Sequence, residues 1–152
     1  MTNPEMIRDI IEKNILNISR GIIGVNVEKC SEQSDKAESF TIYLETSGEY
    51  SLSLYMRADM DTLRSIAAKM KHSIPGEEEI SMYVTEFFNI MGGRIVSEIN
   101  KNFGKKAMIK PPVFSNDNIP QILDDKSVLT FYYSFAEGKF KIEGHLDKLK
   151  NF

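Results

Sequence analysis

Apolar residues recur about every 3.6 residues in some segments of this chain, as in a helix, and at every second residue in others, as in a strand. The order of these segments limits the folds that the chain can adopt. Two regions repeat apolar residues at every second position on both sides of a break, a pattern that predicts β-hairpins. The first spans residues 40–56 with its break at 47–49, and the second spans 129–146 with a turn at Glu137 and Gly138. Segments of helical period lie before and between them. Such interleaving indicates an α+β fold, with helices packed on an antiparallel β-sheet.

Three segments are predicted to be helical because their apolar residues recur at spacings of three and four. The first spans residues 4–20 and is predicted to end at Gly21. The second spans 58–72 and carries Asp59 near its N-terminus, where the helix dipole favours a carboxylate. The third is long and spans 77–102. The helices therefore account for much of the chain.

Two further strands and a loop complete the predicted order of elements. Residues 22–29 are short and β-branched, which predicts a strand. Residues 106–114 also indicate a strand, but it contains Pro111 and Pro112, which have no N–H to donate to a neighbouring strand. We therefore expect this segment to lie at an edge of the sheet or to leave it. Residues 117–125 are predicted to form a loop.

Length and charge exclude several classes of function. The chain has 152 residues, the size of one ordinary domain, and no linker-like tract, so residues 1–152 are predicted to form a single domain. A net charge of −3 gives no electrostatic reason to bind nucleic acid or an anionic membrane. No run approaches the roughly 18 apolar residues of a membrane helix. We expect a soluble cytoplasmic protein.

Reactive side chains are scarce. The single cysteine, Cys30, cannot form an internal disulfide, and the two histidines, His72 and His145, lie far apart in the sequence. No cluster has the spacing of metal ligands, so we expect neither a metal site nor a cofactor of the chain's own. Any chemistry would have to use carboxylates and amides.

The long predicted helix has two unlike faces. One is an apolar stripe that is expected to face the core. Its members are Ile80, Val84, Phe87, Phe88, Met91, Ile95 and Ile99. The opposite face is polar or bare and carries Glu86, Asn89, Gly93, Ser97 and Asn100. Glu86 and Asn89 are three residues apart, so their side chains are neighbours on the open face.

Gly92 and Gly93 interrupt the middle of this helix, where each glycine costs roughly 1 kcal/mol relative to alanine. Gly93 lies beside the Glu86 and Asn89 pair and leaves room for a partner, so both glycines are candidate partner-binding positions. A carboxylate can hold a cation and an amide can orient a water, as in phosphoryl hydrolysis. Two alternatives stay open: the pair is an ordinary solvated face, or the glycines admit a neighbouring helix.

The sequence from Glu86 to Gly93 resembles the Glu-x-x-Asn-(Ile/Met)-x-x-Gly signature of the CheC/CheX/FliY family of chemotaxis phosphatases. The downstream segment 107–113, with its Pro-Pro pair, resembles the strand that follows the signature helix in CheX. The order of elements is also similar over nearly the whole chain. The resemblance therefore implies a CheX-like α+β fold.

In function, the resemblance implies a phosphatase that removes the aspartyl phosphate of a CheY-type response regulator. Asn89 would orient the attacking water, and Glu86 would engage a lysine of the regulator. The Mg²⁺ would belong to the regulator, so this chain would supply no cofactor. CheX proteins form homodimers, so the resemblance also implies a homodimer.

Some relatives carry the signature twice, on two related helices. In the first predicted helix, Asn17 and Gly21 match the Asn and Gly of the signature, but Asn14 stands where Glu is expected. We therefore expect one active site. A polar helix face is an equally good interpretation of Asn14 and Asn17.

Two other functions remain open at this stage. One is a non-catalytic module of the same fold that binds a response regulator or the flagellar switch. The other is a metal-dependent hydrolase that uses Glu77, Glu78 and Glu79. These three acids also suit the positive end of a helix dipole, which is the commoner use of such a run.

Overall fold

The computed structural model describes residues 2–31, 39–115 and 128–146, which form three helices and seven strands. The helices are α1 (Asn3–Ile23), α2 (Met60–Lys71) and α3 (Glu77–Phe103). The strands are β1 (Glu28–Lys29), β2 (Ser39–Gly48), β3 (Leu52–Asp59), β4 (Ala107–Ile109), β5 (Val113–Ser115), β6 (Val128–Phe135) and β7 (Gly138–Leu146). The α+β prediction is confirmed.

The strands form one antiparallel sheet in the order β1-β6-β7-β3-β2-β4, and β5 also pairs with β2. The two predicted hairpins are β2–β3, paired from Ser39↔Asp59 to Glu45↔Ser53, and β6–β7. On the other side of β2, β4 pairs with residues 46–48 and β5 with residues 41–43. Pro111 and Pro112 lie between β4 and β5, so the predicted edge position is confirmed.

The helices and one face of the sheet enclose a single hydrophobic core. In β3, every second side chain enters it, because successive side chains of a strand point to opposite faces. These are Leu52, Leu54, Met56 and Ala58, and they meet buried side chains of all three helices. The assignment of all of residues 1–152 to one domain stays a prediction.

The second face of the sheet is polar and aromatic. The rings of Tyr43 and Tyr55 are 5.0 Å apart, and Tyr55 makes an edge contact with the ring of His145 at 5.3 Å. Lys141 Nζ lies 2.6 Å from an oxygen of Glu143, a carboxylate that is almost fully buried. Polar contacts thus hold together the face that the three helices do not cover.

The end of α1 differs from its prediction. Gly21 lies within the helix, which continues to Ile23 because Ile22 and Ile23 extend the apolar period. Gly24 then ends it in the left-handed conformation, with φ 68°. The predicted strand 22–29 is therefore reduced to the two residues of β1, Glu28 and Lys29.

The other helix and strand predictions hold with small shifts. The second helix begins at Met60, because the Asp59 side chain accepts a hydrogen bond from the Thr62 N–H at 2.8 Å and caps it. The third ends at Phe103, one residue later than predicted. The segment 106–114 forms two short strands instead of one. The predicted loop at 117–125 lies outside the described residues.

Candidate functional site

The candidate site lies on α3, a 27-residue helix that is fixed at both ends. At its start, the Glu79 carboxylate accepts a hydrogen bond from the Gly76 N–H at 2.8 Å. Lys71 of α2 lies 2.6 Å from the same carboxylate. At its end, Gly104 adopts a left-handed conformation, with φ 61°, and its N–H donates to the Asn100 carbonyl. Caps of this kind satisfy backbone groups that a helix end leaves unpaired.

Glu86 and Asn89 are held by the residues between them. Phe87 and Phe88 are both fully buried in the core, so the helix cannot rotate without exposing two aromatic rings. Glu86 is exposed and Asn89 is half-buried, and their spacing of three residues places the two side chains on adjacent turns. The structure therefore brings the predicted carboxylate and amide together on the open face of α3.

The two glycines of the helix have different surroundings. Gly92 is buried, and a Cβ atom there would lie 2.5 Å from Leu44 Cδ2 of β2. Gly93 is half-buried, and its nearest neighbour would be Ile109 Cδ1 at an ordinary contact distance of 3.7 Å. Gly92 thus lets α3 pack closely on the sheet, and the bare surface beside Glu86 and Asn89 comes from Gly93.

Asn100 lies on the same side of α3, two turns beyond Gly93, but it is not a free polar residue. Its Nδ2 donates to the Ala107 carbonyl at 2.9 Å, and its Oδ1 accepts a hydrogen bond from the Tyr50 hydroxyl at 2.9 Å. Burial raises the pKa of Tyr50 above the ordinary value of a tyrosine hydroxyl. Asn100 thereby joins α3 to β4 and to the connection between β2 and β3. No sequence pattern identified Tyr50.

The first helix does not repeat this arrangement. Asn14 is buried, and its Nδ2 donates to the Ile10 carbonyl at 2.8 Å and to Glu98 of α3 at 3.2 Å. The buried positions 11, 14, 15, 18 and 19 of α1 match the buried positions 84, 87, 88, 91 and 92 of α3 at an offset of 73 residues.

The burial pattern therefore favours an offset of 73 over the offset of 72 that aligns Asn14 with Glu86. At the offset given by burial, Lys13 and Leu16 take the positions of Glu86 and Asn89. Lys13 forms an ion pair with Glu98, with Nζ and Oε1 2.6 Å apart. The side chains of α1 at these positions thus include no carboxylate and no amide, which agrees with one site per chain.

The three acids at the start of α3 do not form a metal site. Glu79 caps the helix and pairs with Lys71, and hydrogen bonding from that lysine lowers the pKa of the Glu79 carboxyl. Glu77 lies 3.4 Å from Arg64 of α2. Within residues 2–31, 39–115 and 128–146, no group of three acidic, histidine or cysteine side chains is arranged to hold a metal ion.

Glu86 and Asn89 have no hydrogen-bond or ion-pair partner among the described residues, in contrast to Glu79 and Glu98 on the same helix. An exposed, unpaired carboxylate is free to bind a cation that another molecule brings. An amide beside it has a donor and an acceptor available for water. The arrangement thus suits a reaction in which the second molecule supplies most of the reacting groups.

Comparison with known proteins gives a family and a fold. The family model described as chemotaxis phosphatase CheX matches residues 40–135. A search of curated protein sequences finds no significant match. In the described residues, no helix is long and apolar enough to span a membrane.

Solved structures of the same fold come from several bacteria. A chain of the CheX–CheY–BeF3–Mg²⁺ complex from Borrelia burgdorferi matches with a TM-score of 0.77 and 17% identity, over 91% of this chain and 96% of that one. CheX from Desulfovibrio desulfuricans matches with a TM-score of 0.77 and 13% identity, over 93% and 99%.

Thermotoga maritima FliY matches with a TM-score of 0.68 and 17% identity, over 98% of this chain and 92% of that one. At these identities the likeness establishes the shared fold. The family model covers more than half of the sequence, and its match includes β2 through α3 and the Glu86–Gly93 segment. The chain therefore belongs to the CheX family of chemotaxis phosphatases.

Proposed function

We propose that this protein hydrolyses the aspartyl phosphate of a CheY-type response regulator, with Asn89 orienting the attacking water and Glu86 engaging a lysine of the regulator. The observation that carries the proposal is the pairing of an exposed carboxylate with an amide on one face of α3, in a chain of the CheX family. The structure of a relative in complex with CheY, BeF3 and Mg²⁺ supports the choice of partner.

The proposed mechanism depends on positioning. The Asn89 amide holds a water in line with the bond between phosphorus and the aspartyl oxygen, and attack of that water releases inorganic phosphate and the free carboxylate. Converting a random encounter into a fixed geometry is a large part of such catalysis. Mg²⁺ bound by the regulator would neutralise charge on the phosphoryl group, and the proposed mechanism assigns no metal to this chain.

Glu86 acts in binding. Its carboxylate, unpaired among the described residues, forms an ion pair with the regulator's lysine and so places the phosphoryl group over Asn89. Gly93 has no side chain beside the pair, so the regulator can approach Glu86 and Asn89 closely. Gly92 contributes indirectly, because its contact with Leu44 sets the depth at which α3 lies on the sheet.

Asn89→Ala tests the catalytic role. We expect the stimulated rate of phosphate release to fall at least about 100-fold, the scale on which misplaced reacting groups lower rates. The fold should persist, because Asn89 has no hydrogen-bond partner among the described residues and alanine favours helix. The measurement is phosphate release from a phosphorylated cognate regulator, with circular dichroism as the check on folding.

Ser97→Ala is the matched control, since Ser97 is an exposed polar residue two turns further along the same face. It should leave the rate unchanged. If Asn89→Ala hydrolyses the regulator's phosphate as fast as the parent protein, Asn89 is not the water-orienting group. If the parent protein binds the regulator without accelerating release, the chain is the non-catalytic binding module instead.

We further propose that the protein acts as a homodimer in the cytoplasm, beside its regulator. Sedimentation equilibrium at micromolar concentration should give twice the mass of the 17.4 kDa chain. A mass that stays at that of one chain as concentration rises would contradict the dimer and leave the proposal for Glu86 and Asn89 unaffected.

A further inference from the structure

Most basic side chains of the described residues are already paired. Lysines 13, 29, 69, 71, 110 and 141 each lie within 4 Å of a carboxylate. Arg8 and Arg64 also form ion pairs, Arg20 donates a hydrogen bond to Asn26, and Arg57 makes a further interaction. Positive charge on most of this surface is therefore balanced locally.

Five basic residues in the described part of the chain are exceptions; Lys139 lies at the start of β7, and the other four lie on α3 or on the segment that follows it. Arg94, Lys101, Lys105 and Lys106 have no ion-pair or hydrogen-bond partner for their side chains among residues 2–31, 39–115 and 128–146. We call these four residues the basic strip. All of them follow the Glu86 and Asn89 pair, on the second half of α3 and the segment that leads to β4. The strip is a local excess of positive charge in a chain whose net charge is −3.

Helix geometry places two members of the strip, Arg94 and Lys101, on the Glu86 side of α3. Arg94 is eight residues beyond Glu86, so it lies about 12 Å along the helix axis and about 80° around it. Lys101 is seven residues beyond Arg94 and therefore on the same side of α3. Both are exposed, as is Lys106, and Lys105 is half-buried. Opposite charges thus lie on one accessible face, with Glu86 toward one end.

One carboxylate lies at the border of the strip. Glu49 accepts a hydrogen bond from the Lys106 backbone N–H at 3.2 Å, and Glu98 is already paired with Lys13. The net charge of the strip remains positive when the negative charge of Glu49 is included. Arg94 and Lys101 lie about 10 Å apart along the helix axis, which is close to the Debye length at 0.1 M salt, so salt screens the interaction between them only in part.

We propose that the basic strip is a docking surface for the acidic surroundings of the regulator's phosphorylation site, and that it orients the regulator so that its lysine meets Glu86. This rests on the proposed function. A protein that binds Mg²⁺ beside a phosphoryl group presents carboxylates there, since Mg²⁺ is held by carboxylates and phosphate oxygens. Unpaired arginine and lysine side chains complement such a surface and speed encounter.

The test is the double variant R94Q/K101Q. We expect the half-saturating concentration of phosphorylated regulator to rise about 3- to 10-fold at 50 mM NaCl, the combined effect of two exposed charges. At 500 mM NaCl the difference should fall below about 2-fold, because salt screens exposed charges. The maximal rate should not change. R94K/K101R, which keeps both charges, should behave as the parent protein does.

Lys139→Gln is the matched control. Lys139 is exposed and has no side-chain partner among the described residues, so its loss changes net charge without removing a contact within the described chain. Lys139 lies at the start of β7, next to Phe140, which pairs with Ala58 at the end of β3. Lys106 lies next to Ala107, which pairs with Gly48 near the turn between β2 and β3, so the two lysines are at opposite ends of the sheet. If R94Q/K101Q behaves as Lys139→Gln does at low salt, the strip is a solvated surface and the inference is overturned. A fall in maximal rate at unchanged half-saturation would also overturn it.

A binding measurement separates this inference from the proposed function. The regulator is loaded with Mg²⁺ and with beryllofluoride, which stands for the phosphoryl group. It is then titrated with two proteins: the single variant Asn89→Ala, and the triple variant that carries Asn89→Ala together with R94Q/K101Q. Weaker binding of the triple variant supports the strip whether or not the parent protein accelerates phosphate release. Equal binding of the two proteins overturns the strip and leaves the assignment of Asn89 to be decided by its own rate measurement.

Discussion

The contrast between Gly92 and Gly93 is the most informative detail of α3. The two glycines are adjacent in the sequence, yet one faces Leu44 of the sheet and the other faces open surface near Ile109. A single helix thus uses the absence of a side chain for two purposes. Packing requires it at Gly92, and access to the site requires it at Gly93.

The pair Gly92→Ala and Gly93→Ala tests this division. Alanine improves helix propensity by about the same amount at both positions, so the difference between the variants isolates packing. At Gly92 the new methyl group would lie 2.5 Å from Leu44 Cδ2, and Leu44 is buried. We expect Gly92→Ala to be less stable than Gly93→Ala by about 1–3 kcal/mol, the usual cost of overpacking a core.

Urea unfolding of both variants measures the difference. Phosphate release supplies the second readout, and Gly93→Ala should raise the half-saturating concentration of the regulator while keeping the fold. Equal free energies of unfolding would mean that Leu44 moves aside without cost. In that case the close approach of α3 to β2 would not depend on Gly92.

Sequence periodicity was sufficient to place Glu86 and Asn89 on the open face, because the position of each residue around a helix follows from 3.6 residues per turn. It was not sufficient to distinguish Gly92 from Gly93. That distinction depends on Leu44, which is far away in the sequence and meets α3 only in the folded chain. Asn14 shows the same limit, since it is buried and donates a hydrogen bond to Glu98, which is far away in the sequence.

At the scale of elements, the edge of the sheet is attached to the site helix through Asn100. This side chain connects Ala107 of β4 and Tyr50, and both of its hydrogen bonds are 2.9 Å long. The same edge is also held by the Lys110 N–H, which donates to the Glu45 carbonyl at 2.8 Å. β4 has only three residues, so side-chain contacts carry a large share of its attachment.

Asn100→Ala should destabilise the protein by about 1–3 kcal/mol, because it removes the hydrogen bonds that the Asn100 side chain makes with the part-buried Ala107 carbonyl and with the Tyr50 hydroxyl. Amide hydrogen exchange at Lys110 should accelerate by more than exchange in the β6–β7 hairpin does. Asn102→Ala is the control, since Asn102 is exposed and its side chain, within the described part of the chain, donates to the Glu98 carbonyl of its own helix and to no other element. Uniform acceleration across the sheet would show that Asn100 stabilises the whole molecule rather than this edge.

The limits of helices and strands were predicted well wherever a capping residue is visible in the sequence. Asp59 indicated the start of α2, and it caps that helix within two residues of the predicted start. The predicted end of α1 at Gly21 was wrong, because the sequence does not distinguish a glycine inside a helix from a glycine that ends one. The actual end at Gly24 follows from its left-handed backbone, which only the folded chain shows.

At the scale of the whole molecule, the polar face of the sheet holds a carboxyl group whose pKa the fold lowers. Burial raises the pKa of the Glu143 carboxyl, but hydrogen bonding and charge from Lys141 outweigh this and bring the pKa below its ordinary value of 4.5. Lys141 Nζ is 2.6 Å from Glu143, and His145 Nε2 is 3.5 Å from it. Arg57 adds a further positive charge.

A carboxyl whose pKa is lowered by folding stabilises the native state above the pKa of the unfolded chain, and this contribution is lost as pH falls through the folded value. We therefore expect the stability difference between the parent protein and Glu143→Gln to be largest near neutral pH and to shrink below about pH 4.5. Urea unfolding at pH 7 and at pH 3.5 measures it.

Glu28→Gln provides the control, because Glu28 is exposed and has no ion-pair partner among the described residues. Its effect on stability should be small at both values of pH. A difference for Glu143→Gln that stays constant between pH 7 and pH 3.5 would contradict the role given to its ion pair with Lys141.

The burial of Phe87 and Phe88 between the two site residues has a consequence for regulation. Redirecting Asn89 by rotating α3 would withdraw both rings from the core, at about 1.5–3 kcal/mol for each ring. A rotated α3 would therefore be a high-energy state, and the two buried rings keep Glu86 and Asn89 on the open face of the helix. Rotation of α3 is thus an unfavourable way to switch the proposed activity on and off.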